Sequence, residues 1–250
     1  MYYIIDNKII GPDYYKMDIK AVDIAQKANP GQFIQIKVNS KNTYDPLLRR
    51  PFSLFDVDKD NGIIKIIYRI VGRGTKIMSE IEIDNNIDIL GPLGNGFNIN
   101  LTNKDIILIG GGMGIVPLFY LYKSMQKNNN IKVLIGAKDF EEIEYFTKIF
   151  SDLKYATESN NKGYRGTVLD LLLDYGYDFD YFYACGPNNM LKSLQEISNK
   201  NKLNGEISLE KRMGCGTGVC LSCVSKTING NRRVCKDGPI FSIGEVIFDE

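Results

Sequence analysis

Residues 105–117 read DIILIGGGMGIVP. The apolar run 106–109 has no polar alternation, which is the pattern of a strand covered on both faces. It leads directly into Gly110, Gly111, Gly112 and Gly114, and then into a segment predicted as a helix over 115–127. Pro117 falls in that helix's first turn, where proline is tolerated. A strand, a glycine run and a helix in this order open a parallel α/β sheet. The bare N–H groups at such a junction attract a pyrophosphate. The order G-G-G-M-G departs from a strict G-x-G-x-x-G. The nucleotide reading therefore rests on the strand–helix context, with a structural tight turn as the alternative.

The alternation continues downstream. Strands are predicted at 131–135, 153–156 and 180–184, and helices at 140–150, 167–175 and from Pro187 to about residue 199. This is a doubly wound parallel sheet. Cys185-Gly186-Pro187 follows the last of these strands. That places it at the sheet edge where ligands bind, although a lone cysteine among apolar neighbours is more often a small core residue. Lys138 and Asp139 follow another strand. An aspartate there suits a ribose hydroxyl and a lysine suits a 2′-phosphate, and both equally suit a solvated loop, so NAD and NADP stay open.

Upstream, residues 1–100 read as short strands broken by turns. In 32–38, Ile34, Ile36 and Val38 face one side while Gln35 and Lys37 face the other. A second strand covers 63–70, after the Asn61-Gly62 turn. Without a long amphipathic helix, this region is predicted to be a small antiparallel barrel. It holds two segments with more than scaffold character, Arg49-Arg50-Pro51-Phe52-Ser53 and the glycine-rich turn Gly72-Arg73-Gly74-Thr75.

Near the C-terminus, residues 214–235 read GCGTGVCLSCVSKTINGNRRVC, with Cys215, Cys220, Cys223 and Cys235 spaced C-x4-C-x2-C-x11-C. The first three match the spacing of plant-type [2Fe–2S] sites. Structural zinc more often uses two short knuckles, and disulfides are rare in reducing compartments, so the spacing favours iron–sulfur over both. The glycines among these cysteines allow the backbone to wrap closely and aim N–H groups at sulfur.

The chain has 250 residues, a net charge of +1 and no histidine. Near-neutral charge gives no electrostatic footprint for nucleic acid or anionic membrane. No apolar run is long enough to span a bilayer, and the first residues lack the pattern of a secretory signal, which predicts a cytoplasmic protein. The missing histidine excludes Ser–His–Asp and Cys–His catalysis and the usual general base. Hydride and electron transfer need none of these, because cofactors do that chemistry. No catalytic side chain is predicted.

Together these parts resemble the ferredoxin–NADP reductase superfamily. Arg50-Pro51-Phe52-Ser53 is similar to its R-x-Y-S flavin motif, with phenylalanine in the tyrosine position. GPLGNGF at 91–97, LEKRMGCGTGVCLSC at 209–223 and VCKDGPIF at 234–241 are similar to the electron-transfer subunit family of type B dihydroorotate dehydrogenase. The resemblance covers essentially the whole chain. It implies an α+β multi-domain fold: an FAD-binding antiparallel β-barrel over 1–100, an NAD-binding doubly wound α/β domain over 101–205 and a small C-terminal [2Fe–2S] domain over 206–250.

The resemblance also implies residue roles. Arg50, Pro51, Phe52, Ser53, Ile67, Tyr68, Arg69, Gly74 and Thr75 would bind FAD. Gly110, Gly111, Gly112, Gly114, Pro117, Cys185, Gly186 and Pro187 would flank the nicotinamide cofactor, NAD by family. The four loop cysteines would hold the cluster. The implied partner is an FMN-containing catalytic subunit that oxidises dihydroorotate, with two copies of each subunit and no nucleic acid or membrane. Electron counting orders the implied path as FMN, cluster, FAD, NAD+, because a flavin handles both single electrons and hydride. Two rivals stand beside this reading. One is a flavin and iron–sulfur subunit of an NADH-dependent ferredoxin:NADP oxidoreductase, a sulfide dehydrogenase or a sulfite reductase. The other is a non-catalytic zinc protein.

Overall fold

Short runs of β-branched and aromatic residues, each closed by a turn, build the first half of the chain. The structure, a computed structural model, describes residues 1–38, 45–159 and 162–248. Seven strands form the first sheet: β1 (Tyr2–Gly11), β2 (Tyr14–Lys20), β3 (Phe33–Lys37), β4 (Arg50–Ser53), β5 (Asp56–Asp58), β6 (Ile63–Arg69) and β7 (Asn86–Leu93). Their order is β4-β3-β7-β1-β2-β6-β5, and every pairing is antiparallel. The sheet curls until Phe52 of β4 meets Tyr68 of β6, with ring centroids 5.9 Å apart. Ile4, Met17, Ile19, Ile34, Ile36, Ile64 and Ile66 fill the barrel and are fully buried. Among the described residues, two short helices interrupt it, α1 (Val22–Lys27) and α2 (Arg73–Ser79).

Two expectations change here. Gly72-Arg73-Gly74-Thr75 is not a free turn but the start of α2. The Thr75 hydroxyl accepts the N–H groups of Val71 and Gly72 at 3.0 and 3.3 Å, which closes the backbone into a helical turn. Gln35 faces away from the barrel core as predicted, yet it is completely buried, because another part of the chain covers that side of β3.

The second sheet contains β8 (Asp105–Gly111), β9 (Asn130–Ala137), β10 (Leu153–Thr157), β11 (Tyr164–Arg165), β12 (Tyr181–Cys185), β13 (Gly205–Ser208) and, later, β16 (Ile240–Ser242). Its order is β11-β10-β9-β8-β12-β13-β16. All pairs are parallel except β13 with β16. Helices α3 (Ile115–Met125), α5 (Val168–Tyr175) and α6 (Asn188–Asn201) cover it. The strand order runs outward from β8 in both directions, so the crevice between β8 and β12 is the switch point where such sheets bind ligands.

The helix predicted over 140–150 is broken. A 3-10 turn (Phe140–Glu142) and a four-residue helix α4 (Glu144–Thr147) replace it. Ile143, Phe146 and Phe150 are buried at near-helical spacing, which produced the expectation. Glu142 instead accepts the Lys138 N–H and a bond from Arg69, both at 3.3 Å, and this ties the segment back to the end of β9.

The two halves are joined through α3. Phe119 stacks on Phe55 with centroids 4.5 Å apart, and Tyr120 donates to the Ala28 carbonyl at 3.1 Å. Lys123 reaches the buried Asp56 carboxylate at 2.7 Å, and Lys65 holds its other oxygen at 3.2 Å. The cysteine segment carries the hairpin β14 (Val224–Thr227) and β15 (Gly230–Arg233). A boundary at 205/206 cuts through β13, because β13 and β16 belong to the parallel sheet. The cysteines lie on an excursion between those two strands. Residues 249–250 of the predicted third domain lie outside the described residues.

Candidate functional site

A first cavity of about 290 Å³ opens where the barrel, the parallel sheet and the cysteine segment meet. Pro51, Phe52 and Ser53 come from β4, Ile67, Tyr68 and Arg69 from β6, and Thr75 from α2. Antiparallel pairing sets β4 beside β3, with Gln35 opposite Pro51 and Phe33 opposite Ser53. Phe33 lines the cavity too. Tyr68 stacks on Tyr15 at 5.6 Å, and its hydroxyl donates to Asn7 at 2.9 Å. Burial pushes that phenol's pKa well above its usual value. Tyr68 is therefore a neutral, fixed aromatic wall.

Arg50 and Gly74, the other two residues expected to bind FAD, are not part of the first cavity's lining. A methyl group added to Gly74 would lie 3.1 Å from the Arg50 guanidinium Nε, so Arg50 packs directly against the first turn of α2. A cation beside the start of a helix suits a phosphate. Arg69 is committed elsewhere, bonding Glu142 and lying over the Tyr14 ring at 5.3 Å.

The far wall includes residues that sequence reasoning missed: Met113, Val116, Ser208, Glu210, Lys211 and Met213. Glu210 opens onto the cavity, while protein packed around its other sides pushes its pKa up. Its carboxylate lies 4.0 Å from the Cys185 sulfur. Cys185 is buried, and burial followed by the neighbouring carboxylate raises its thiol pKa. A protonated, enclosed thiol is a packing and positioning group, not a nucleophile.

A second cavity of about 280 Å³ lies at the C-terminal ends of the parallel strands. Gly111, Gly112 and Pro187 line it, as does Lys138. The other five predicted residues, Gly110, Gly114, Pro117, Cys185 and Gly186, do not line it. Gly110 packs under Ile115 and Pro117 is buried in α3. Gly114 sits against the Cys185 carbonyl, and Gly186 packs against Met190. Asp139 is not part of the lining. Glu142 and Glu158 are, and neither was singled out from sequence.

The cysteine loop stands beyond the first cavity. The Cys215 sulfur accepts N–H groups from Thr217 and Val219 at 3.3 Å and from Cys220 at 3.4 Å. These bonds lower the Cys215 pKa, led by the Cys220 N–H, and Ser222 does the same for Cys220. Cys223 accepts the Cys235 N–H at 3.4 Å. Among the described residues no three potential ligands gather around a single metal-sized point. Backbone N–H bonds link Cys215 to the Cys220 sulfur and Cys235 to the Cys223 sulfur. Backbone N–H groups already aimed at sulfur fit an iron–sulfur cluster.

Comparison with known proteins agrees with this geometry. The profile described as the iron–sulfur cluster binding domain of dihydroorotate dehydrogenase B matches residues 210–247. The oxidoreductase FAD-binding domain matches residues 4–97. The "Dihydroorotate dehydrogenase B (NAD(+)), electron transfer subunit" of Geobacillus sp. (strain WCH70) is 36% identical, over 98% of this chain and 96% of that protein. The protein of the same name from Fusobacterium nucleatum is 37% identical, over 96% and 95%. Among solved structures, an NADH-dependent reduced ferredoxin–NADP oxidoreductase studied for flavin-based electron bifurcation superposes with a TM-score of 0.88. It is 27% identical and is matched over 100% of this chain and 90% of that one. Phthalate dioxygenase reductase shares the fold alone, with a TM-score of 0.65 at 14% identity over 97% of this chain and 94% of that one. On identity and coverage, this chain belongs to the family of electron-transfer subunits of NAD+-type dihydroorotate dehydrogenase B.

Proposed function

We propose that this chain takes electrons from a dihydroorotate-oxidising catalytic subunit and delivers them to NAD+, in pyrimidine biosynthesis in the cytoplasm. The observation that carries the reading is the convergence of three parts on one cavity. Barrel strands, the parallel sheet and the segment leading into the cysteine loop all line it. When bound, the iron–sulfur cluster supplies single-electron chemistry and FAD links single electrons to hydride.

The chain's own residues bind and orient. Arg50 and the start of α2 offset pyrophosphate charge, Tyr68 and Phe52 enclose the flavin, and Ser53 offers a hydroxyl at the cavity wall. The second cavity takes the nicotinamide dinucleotide, with Gly111, Gly112 and Pro187 against its backbone. Cys215, Cys220, Cys223 and Cys235 would hold a [2Fe–2S] centre. Exposed Val219, Leu221 and Ile228 surround this loop and form the docking surface for the FMN-containing partner, in an assembly with two copies of each subunit. Among the described residues no helix is long and apolar enough to cross a membrane.

Anaerobic purification from the native host tests the reading. Flavin absorbance, iron and acid-labile sulfide are expected, with a co-purifying flavoprotein that oxidises dihydroorotate. A partner lacking that activity moves the assignment to the ferredoxin–NADP type of subunit, which the structural superposition favours as the second reading.

Two variants probe the nicotinamide side. Glu142 and Glu158 both line the second cavity, where Lys138 is the one basic residue among the described residues. A 2′-phosphate there meets two carboxylates, and like charges in contact cost on the order of a few kcal/mol before solvent screening. Glu158→Gln is therefore expected to raise kcat/KM for NADPH relative to NADH by about tenfold. An unchanged ratio places the ribose elsewhere. Cys185→Ala is expected to lower NADH-linked turnover by about tenfold at full FAD content, because small misplacements of reacting groups cost that much or more. Full turnover removes Cys185 from the positioning set.

A further inference from the structure

Among the described residues, Gln35 stands out in the interior because both polar atoms of its side chain are buried without a partner. It lies in the middle of β3, is completely buried, and neither its amide nitrogen nor its amide oxygen has a hydrogen-bond partner among the described residues. Leaving a buried amide unpaired costs about 1–3 kcal/mol for each unsatisfied group. Its surroundings identify what it faces. A methyl group added to Gly216 would lie 2.5 Å from the Gln35 Nε2, so the amide abuts the backbone of the loop between Cys215 and Cys220. Gly216 has φ +73°, the left-handed region, so glycine is needed there both for conformation and for this approach. On its own strand Gln35 follows Phe33 by two positions and pairs with Pro51, and both of those residues line the first cavity. Gln35 thus stands between that cavity and the cysteine loop. The donors seen on the Cys215 and Cys220 sulfurs all come from within the loop. Among the described residues, the barrel side chain that abuts Gly216 is the neutral amide of Gln35.

We propose that the Gln35 carboxamide donates a hydrogen bond across Gly216 into the iron–sulfur centre and raises its reduction potential. A donor to cluster sulfur stabilises the reduced, more negative form over the oxidised one. A neutral amide does so without the desolvation cost of a buried cation. The link also couples the barrel mechanically to the cluster loop, so the centre that passes electrons on and the centre that receives them share a strand. The proposal rests on the cluster assignment above.

The test uses the cluster- and FAD-loaded chain, with iron and acid-labile sulfide measured first. In Gln35→Leu, EPR-monitored redox titration is expected to show the reduced-to-oxidised cluster ratio at the parent midpoint falling about tenfold, equal to ~59 mV for one electron. The FAD midpoint is expected to stay in place. In parent protein carrying heavy nitrogen in its glutamine side chains, pulsed EPR of the reduced cluster is expected to show a nitrogen coupling that Gln35→Leu removes. The labelled parent decides the matter even if the variant fails to fold. A loaded parent with no such coupling overturns the role of Gln35. So does a folded variant whose cluster midpoint is unmoved, or one in which only the FAD midpoint moves. A parent without acid-labile sulfide overturns the cluster assignment and this proposal together.

Discussion

Cys220→Ser is expected to cut NAD+ reduction coupled to dihydroorotate oxidation by more than about a hundredfold, since losing even an outer partner of a metal ligand costs about 10–100-fold. NADH oxidation by an artificial flavin acceptor is expected to stay within about twofold of the parent. The split follows from where the residue sits. Cys220 is exposed and outside the apolar core, so the change removes a ligand without opening a cavity. Serine oxygen is harder and far less acidic than thiolate, and iron–sulfur centres select soft, deprotonated sulfur. The first cavity keeps its barrel wall of Pro51, Phe52, Ser53, Ile67 and Tyr68, none of which contacts this side chain through a recorded hydrogen bond. Steady-state assays of the two reactions on one preparation decide the outcome. Equal loss of both reactions means that the loop holds the fold rather than carrying electrons.

Gly114→Ala is expected to be the most damaging single added methyl in the parallel-sheet half. The new carbon would lie 2.1 Å from the Cys185 carbonyl oxygen, 2.4 Å from its carbon and 2.7 Å from the Gly186 nitrogen. All three are backbone atoms, so no side-chain rotation relieves the clash. Its φ of −60° is ordinary, so the cost is purely one of approach. Overpacking costs typically 1–3 kcal/mol, and a clash with fixed backbone belongs at or above about 3 kcal/mol. For a chain of this size that lowers Tm by roughly 6–12 °C. The clash also separates the start of α3 from the end of β12, which widens the crevice at the switch point. KM for NADH is therefore expected to rise while FAD stays bound. A thermal melt and NADH kinetics check both halves, and an unchanged melt shows that α3 can shift away freely.

The parallel sheet was legible because strands buried on both faces leave unbroken apolar runs. DIILI at 105–109 is β8 almost residue for residue. The cysteine loop was legible because ligand spacing is local. Residues 140–150 were misread for the opposite reason: Ile143, Phe146 and Phe150 bury like one helical face, while Glu142 spends its carboxylate on Lys138 and Arg69. Gln35 was hidden because its covering residue, Gly216, comes from the far end of the chain. Glu158 carried no periodic or motif signal, Glu210 fell inside the 209–223 segment without a role of its own, and only the fold brings them to cavity walls.

The antiparallel strand β16 closes the edge of the parallel sheet against β13, with Ile207 opposite Phe241 and Ser208 opposite Ile240. The cysteines therefore occupy a detour that leaves and rejoins the same strand pair. Buried Val234 and Phe241 anchor its return, and Arg233 clamps Asp237 through two oxygens at 2.9 and 3.0 Å. None of these anchors is a sulfur. Zinc fingers depend on their metal to fold, whereas this detour is held by strand pairing and apolar packing. The consequence concerns the order of assembly: the polypeptide can finish folding first and accept iron and sulfide afterwards, through a loop whose Cys220 is exposed while Cys223 and Cys235 are buried. Cluster damage then becomes a repairable event, with the polypeptide retained and only the inorganic part replaced.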